Sequence, residues 1–169
     1  MIPILTTHRL RLEPCGMQHH DGLRVVNGDP EVMRFVGGVP QDAEQTAAWI
    51  RRAEARWAEL GFSWWTILLA DSGKVIGACC VQHIENDPAQ ECEIGWRLLP
   101  DCWGKGYATE AARAMIGFAF RELDLPRLFS IADPRNKAST RVMERLGMRS
   151  LGLQRHYGTE AATYVLDRP

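Results

Sequence analysis

Polar and apolar residues alternate along Arg9-Leu10-Arg11-Leu12-Glu13, the period of a strand with one buried face. The period then lengthens. Met17 to Asn27 reads as a short helix, and Asp29-Pro30 opens another, with Asp as N-cap and Pro at the first helical position. Gly37-Gly38-Val39-Pro40 breaks that pattern, and Asp42 with Gln45 has the form of a capping box. Behind it Trp49, Ala53, Trp57 and Leu60 recur at spacings of four, four and three, a single buried helical face that Gly61 ends.

Trp64 to Leu69 and Lys74 to Val81 have strand length and composition, and Asp71-Ser72-Gly73 between them supplies hairpin turn chemistry. Glu85 to Gln90 is a polar loop. Glu93 to Leu98 is a fourth strand with Ile94, Trp96 and Leu98 on one face. Thr109 to Leu123 predicts a helix whose inner stripe is Ala112, Met115, Ile116, Ala119 and Phe120. Arg127 to Ala132 is a fifth strand, and Asn136 to Leu146 a helix that Gly147 closes. The tail adds one or two strands, clearest at Thr163 to Leu166. This order predicts an α+β (mixed α/β) fold: a mostly antiparallel sheet of about six to seven strands flanked by about four helices. With no repeat, low-complexity tract or linker, residues 1–169 are expected to form one domain.

The composition narrows the function classes. The net charge is -1, from 20 basic and 21 acidic residues, which argues against a nucleic-acid protein held by a general basic field. No run approaches the roughly 18 apolar residues that span a membrane, and the N-terminus lacks the pattern of a signal peptide. Five cysteines without a C-x-x-C pair fit a reduced, cytoplasmic setting. Cys79, Cys80, His83, Cys92 and Cys102 lack the compact spacing of a zinc site, so no metal is expected and the cysteines read as core residues. His19-His20 reads as surface.

The segment richest in chemistry is Trp103-Gly104-Lys105-Gly106-Tyr107-Ala108-Thr109-Glu110-Ala111-Ala112. It passes from strand to helix through two glycines, and a helix N-terminus behind such a turn suits an anion such as pyrophosphate. A P-loop is ruled out, because Lys105 lies between the glycines with no Ser or Thr after it. A dinucleotide fingerprint fails too: Thr109 stands where the third Gly belongs, and the loop follows an antiparallel meander.

Four segments in order resemble the GNAT N-acetyltransferases, in particular the ribosomal-protein-alanine (RimJ/RimL-like) branch. Leu5-Thr6-Thr7-His8-Arg9-Leu10-Arg11-Leu12 is similar to that branch's opening L-x-T-x-R-L-x-L strand, and Asp29-Pro30-Glu31-Val32-Met33 to its D-P-E-V-M helix start. Glu93-Ile94-Gly95-Trp96-Arg97-Leu98 with Trp103 to Ala111 resembles E-I-G-Y-x-L followed by W-G-x-G-Y-A-T-E-A. Asn136-Lys137-Ala138-Ser139 and Val142 to Met148 resemble N-x-A-S and V-M-E-K-L-G-M. The resemblance implies a sheet splayed at a bulge in the fourth strand, with acetyl-CoA as cosubstrate in the opening. Its pyrophosphate would meet the backbone amides of Gly104, Lys105, Gly106, Tyr107 and Ala108, with Thr109 beside them, and its pantetheine arm would pair with Trp96, Arg97 and Leu98. Asn136 and Ser139 are implied near the arm and the sulfur, though Asn136 is also a natural N-cap.

The implied reaction is direct attack of a primary amine on the thioester in a ternary complex, by an N-acetyltransferase. Such an attack needs a proton acceptor for the amine and a proton or dipole for the thiolate. Glu93 is the candidate base, against a plain reading as a solvated strand carboxylate. Glu110 is explained by the helix dipole. Where many relatives carry a proton-donating Tyr this chain has Met143, which leaves Ser139 or water for that role. Lys137 and Arg141 are candidates for the cofactor's 3′-phosphate or plain helix charge. Acceptor choice should lie in Met17 to Val39, Glu85 to Gln90 and Gln154 to Thr163, with Trp64, Trp65, Trp96 and Tyr157 as candidate cleft walls or core. The acceptor is a protein N-terminus or a small amine. A homodimer is allowed, and the alternative to an enzyme is a catalytically silent acyl-CoA-binding module.

Overall fold

The computed structural model describes residues 2–169. Eight strands form one sheet in the order β1-β2-β3-β4-β5-β6-β8-β7. They are β1 (Leu5–Thr6), β2 (Leu10–Pro14), β3 (Trp64–Leu69), β4 (Val75–His83), β5 (Cys92–Leu98), β6 (Arg127–Ala132), β7 (Arg149–His156) and β8 (Thr159–Asp167). The helices are α1 (His20–Gly28), α2 (Pro30–Met33), α3 (Ala43–Leu60), α4 (Tyr107–Arg121) and α5 (Lys137–Arg145). The mixed α/β architecture is the expected one. The strand count exceeds expectation because the chain adds the two-residue β1 and the tail folds into a full β7–β8 hairpin.

Local signals account for most boundaries. Asp42 Oδ1 accepts from Gln45 N at 2.8 Å and Gln45 Oε1 from Asp42 N at 2.9 Å, closing the capping box of α3. Gly61 ends that helix at φ 75°. Asp29 caps α2 through the amides of Glu31 and Val32. The helix expected from Met17 begins as a 3₁₀ turn, Met17–His19, before α1.

Two layers cover the sheet. On the α4 side Leu10, Leu12, Trp65, Ile67, Ile94 and Met115 form the larger core. Trp65 is fully buried there, edge-on to Trp57 and Phe118 at centroid distances of 4.8 and 5.3 Å. On the opposite side Leu23, Trp49, Ile50, Ala53 and Ala78 form a second cluster. The inner face of α4 is Ala111, Ala112, Met115, Phe118 and Ala119. The stripe predicted through Ile116 and Phe120 is therefore rotated, since those two are only partly buried. His19 is buried as well, contrary to expectation, with Nε2 2.9 Å from Glu13 Oε2. Among the described residues no helix is long and apolar enough to cross a membrane.

Every neighbouring pair in the sheet is antiparallel except β5 and β6, which are parallel and meet at one register pair, Glu93 with Phe129. Beyond it the strands part. On its other side β5 runs against β4 from Cys92 to Leu98 without a register shift. The expected bulge in this strand is absent from that ladder, and the opening arises where β6 diverges. The β4–β5 pairing is close: a Cβ added at Gly77 would lie 2.2 Å from the Arg97 carbonyl oxygen, a backbone atom that no side-chain rotation can move. Gly77→Ala is expected to lower stability by roughly 1–3 kcal/mol by forcing these strands apart, read as an earlier midpoint in urea denaturation.

Candidate active site

The parting of β5 from β6 leaves backbone groups to be satisfied. Leu99 N donates to Ile76 O at 2.8 Å, which sets the phase of the antiparallel ladder: residues 93, 95 and 97 turn their backbone groups to β4, and 94, 96 and 98 turn theirs to β6. Ser130 Oγ donates to Ile94 O at 3.1 Å, and the Trp103 indole donates to Leu98 O at 2.8 Å. Trp96, between them, presents its N–H and C=O to the opening with no strand to receive them.

The glycine loop closes one end of the opening. Gly104 and Gly106 have φ of 70° and 81°, values that only glycine adopts readily. Gly106 is the N-cap of α4, and no side chain caps that helix. Among the described residues the amides from Gly104 to Thr109 have no hydrogen-bond acceptor in the chain. This row of donors sits at the positive end of a helix dipole.

The loop is tied down from the start of the chain. Arg9 Nη1 donates to Lys105 O at 2.8 Å and Arg9 Nε to Glu110 Oε2 at 2.7 Å. The guanidinium lies 4.4 Å from the Tyr107 ring centroid. Glu110 Oε1 also accepts from Thr7 Oγ1 at 2.6 Å and Arg9 N at 2.8 Å. Burial would raise the Glu110 carboxyl, but hydrogen bonds from Thr7 and Arg9 and the Arg9 charge hold it below its ordinary value. Glu110 is thus structural, as the dipole argument expects, through a contact across 101 positions of sequence that periodicity does not reveal.

A cavity of about 420 Å³ lies along this opening. Trp96, Arg97, Leu98, Gly104, Gly106, Tyr107, Ala108, Thr109, Asn136 and Ser139 all border it, so nearly every residue expected at the cofactor comes together. Lys105 does not line it; its carbonyl is turned to Arg9. Asn136 Oδ1 caps α5 by accepting from Ser139 N at 3.2 Å, so its capping role and its place on the cavity coexist. Val32, Phe35 and Val36 add an apolar wall the sequence reading did not anticipate, and Arg34, Lys137, Arg141 and Arg145 make the rim basic. Met143 is 1 % exposed and belongs to the core, so it supplies no donor to the cavity.

Glu93 lies on the other face of β5. It is not the solvated carboxylate of the plain reading: it is 6 % exposed. Gln82 Nε2 donates to Glu93 Oε1 at 3.0 Å, and the Tyr157 hydroxyl donates to the same oxygen in a short hydrogen bond. Burial raises the Glu93 carboxyl above its ordinary value, against the opposing effect of the bonds from Tyr157 and Gln82. Tyr157 reaches it from the β7–β8 turn, where it holds φ 53° and its amide donates to Glu85 Oε1 at 2.5 Å. Ser139 borders the cavity and Glu93 does not, so the two candidate catalytic groups approach the opening from different sides. All five cysteines are buried and free, and burial pushes the Cys15 and Cys92 thiols up to about 12 and about 11, far from a thiolate nucleophile at neutral pH.

Comparison with known proteins places this geometry. The acetyltransferase (GNAT) domain family matches residues 9–149. The protein YkkB of Bacillus subtilis (strain 168) is 34% identical over 95% of this chain and 93% of its own length. The FsC-acetyl coenzyme A-N(2)-transacetylase of Aspergillus fumigatus is 33% identical over 86% of this chain and 65% of its own. The crystal structure of an acetyltransferase from Agrobacterium tumefaciens superposes with a TM-score of 0.85 at 33% identity, covering 99% of this chain and 96% of the other.

The Arg9–Glu110 tie yields a pH-dependent expectation. A carboxyl lowered by folding stabilises the chain fully above its unfolded value and loses that contribution as the pH falls through the folded one. Glu110→Gln is expected to cost about 1–3 kcal/mol at pH 7. The difference from wild type should shrink once the pH drops below the ordinary glutamate value of about 4.3. Urea denaturation of both proteins across that range measures it.

Proposed function

Since the chain belongs to the acetyltransferase (GNAT) family, we propose that it transfers the acetyl group of acetyl-CoA to a primary amine by direct attack in a ternary complex, as one catalytic domain. The observation that carries this reading is the row of unpartnered amides from Gly104 to Thr109 opening onto a cavity whose far wall is the free edge of β5 at Trp96. Bound there, acetyl-CoA supplies an activated thioester.

The residues divide the work. The amides of Gly104, Lys105, Gly106, Tyr107, Ala108 and Thr109 would hold the pyrophosphate without help from strong side-chain charge. Trp96 offers an N–H and a C=O to the pantetheine arm, flanked by Arg97 and Leu98. Asn136 and Ser139 face the arm from α5, and the basic rim at Lys137, Arg141 and Arg145 suits the 3′-phosphate.

Glu93 takes the proton from the acceptor amine. Its raised carboxyl value brings it closer to working pH than a free glutamate, which favours proton transfer. Gln82 and Tyr157 fix its orientation. With Met143 in the core, Ser139 is the side chain at hand to hydrogen-bond the departing sulfur. Positioning of amine and thioester in a closed cleft supplies much of the acceleration.

Glu93→Gln is expected to lower kcat by about 10²–10⁴-fold with little change in acetyl-CoA affinity. In the wild type, activity should fall as the pH drops through the raised Glu93 value, and that acidic limb should vanish in the variant. Gly106→Glu is expected to abolish acetyl-CoA binding in calorimetry. Unchanged affinity there would move the pyrophosphate elsewhere. Intact binding with no thiol release across a broad amine panel would favour the silent acyl-CoA-binding module.

A further inference from the structure

The β7–β8 hairpin changes character partway along. Its base belongs to the sheet, because β8 pairs with β6 from Asp167 back to Ala162. There β6 ends, and Gln154 to Ala161 pair only with one another. β7 loses register at the same place. Ser150 faces Tyr164 and Leu153 faces Ala162, so Leu151 and Gly152 together stand opposite Thr163. Gly152 holds φ 77° in this bulge. A two-stranded arm thus begins where a left-handed glycine bends it. Residues 152–160 are exposed apart from half-buried His156. A ribbon of two strands with no third strand and no packed face is marginally stable by itself.

What holds the arm is its tip. Tyr157 and Gly158 form the two-residue turn, at φ of 53° and 75°. Such a turn favours Asn, Asp or Gly at its first position, and a tyrosine there is strained. The Tyr157 hydroxyl donates to Glu93 Oε1, and Gln82 Nε2 lies 3.2 Å from it. The Tyr157 amide donates to Glu85 Oε1 at 2.5 Å. Among the described residues the arm has no other hydrogen bond to the rest of the chain. Glu85 and its neighbour Asn86 also hold positive φ, 58° and 56°. Three of the four non-glycine residues at positive φ therefore lie at this one junction.

The residue under the tip is the proposed base. The phenol places an O–H donor on the carboxylate oxygen, the same kind of bond that an amine N–H would make there. Gln82 donates to that oxygen as well, at 3.0 Å, and is itself fixed by Trp64 Nε1 at 3.1 Å. Glu93 therefore keeps one oriented partner when the tyrosine leaves.

We propose that the arm is a hinged cover on Glu93, latched by Tyr157, and that an incoming acceptor amine takes the place of the phenol on Oε1 as the arm swings away about Gly152. This rests on the acetyltransferase reading above and adds a gate to its acceptor side. The latch is suited to release. Opening loses a few hydrogen bonds at the tip, and relief of the strained backbone at Tyr157 offsets part of that loss.

The test is carbodiimide coupling of methylamine to the carboxylates of the native chain, read residue by residue by peptide mass spectrometry. Glu93 is expected to couple far more slowly than exposed Asp71, yet faster than global unfolding allows. Glu85→Ala removes the anchor of the Tyr157 amide and leaves Glu93, Gln82 and Tyr157 in place. It should speed coupling at Glu93 by roughly 10-fold, about the worth of one hydrogen bond, with Asp71 and the melting temperature unchanged. Reactivity alone runs the other way. Burial chiefly raises the Glu93 carboxyl and the Glu85 charge adds to it, so loss of Glu85 lowers it and slows attack by a reagent that needs the protonated acid. Tyr157→Gly, which deletes the latch and relieves the turn, should bring Glu93 close to the Asp71 rate. In turnover, Glu85→Ala should lower KM several-fold for any amine of the panel that is acetylated, because less binding free energy goes into opening the arm. Coupling of wild-type Glu93 at the Asp71 rate overturns the cover, as does coupling limited by global unfolding in all three proteins, or a rise in KM. Latch-dependent coupling in a chain that acetylates no amine supports the cover and counts against the acetyltransferase reading.

Discussion

A sheet is stable only while the peptide groups of its strands find partners, and this molecule breaks that rule in one place. β5 and β6 touch at Glu93 and Phe129 and then separate. The chain compensates by small, local means: a serine hydroxyl on Ile94, an indole on Leu98, and nothing on Trp96. The glycine loop, the cavity and the basic rim are all arranged around the gap that results. Had β6 continued alongside β5 there would be no edge to bind a ligand and no room for α4 to aim its N-terminus into the opening.

The two faces of β5 then serve different ends. Backbone chemistry dominates toward β6 and the α4 face, where unpartnered amides and a free strand edge meet. Toward α1 and α3 the strand instead carries side-chain charge into an apolar layer, with Glu93 and Arg97 both almost sealed from water. The two faces of one strand thus carry different chemistry, a free backbone edge on one and two buried charged side chains on the other.

How much of this was legible beforehand follows from the range of each interaction. Signals that act within a few residues read correctly: the Asp42–Gln45 box, the Gly61 stop, the Asp29 cap and the glycine turn. Apart from Lys105, the residues expected at the cofactor border one cavity; the resemblance carried spacing that local physics alone does not contain. The misreadings come from contacts distant in sequence. The inner face of α4 was off because Ala111 and Phe118 pack by the position of the sheet, not by hydropathy alone. Tyr157 on Glu93 spans 64 positions, and the Arg9–Glu110 tie spans 101. In sequence Arg97 reads only as part of the strand expected to pair with the pantetheine arm; the placement of Trp49 and Trp64 shows that its side chain is buried against two indoles.

Trp103 anchors the glycine loop through its indole N–H, yet its ring is 50 % exposed. Of the other five tryptophans, Trp49, Trp57 and Trp65 are buried and Trp64 and Trp96 are only partly exposed. The loop therefore carries a chromophore in an environment unlike that of its siblings. A half-exposed indole is expected to emit to the red of its buried neighbours and to be open to collisional quenchers. Because Trp103 also lines the cavity, events at its mouth are expected to register in the intrinsic spectrum of the chain, with no label attached.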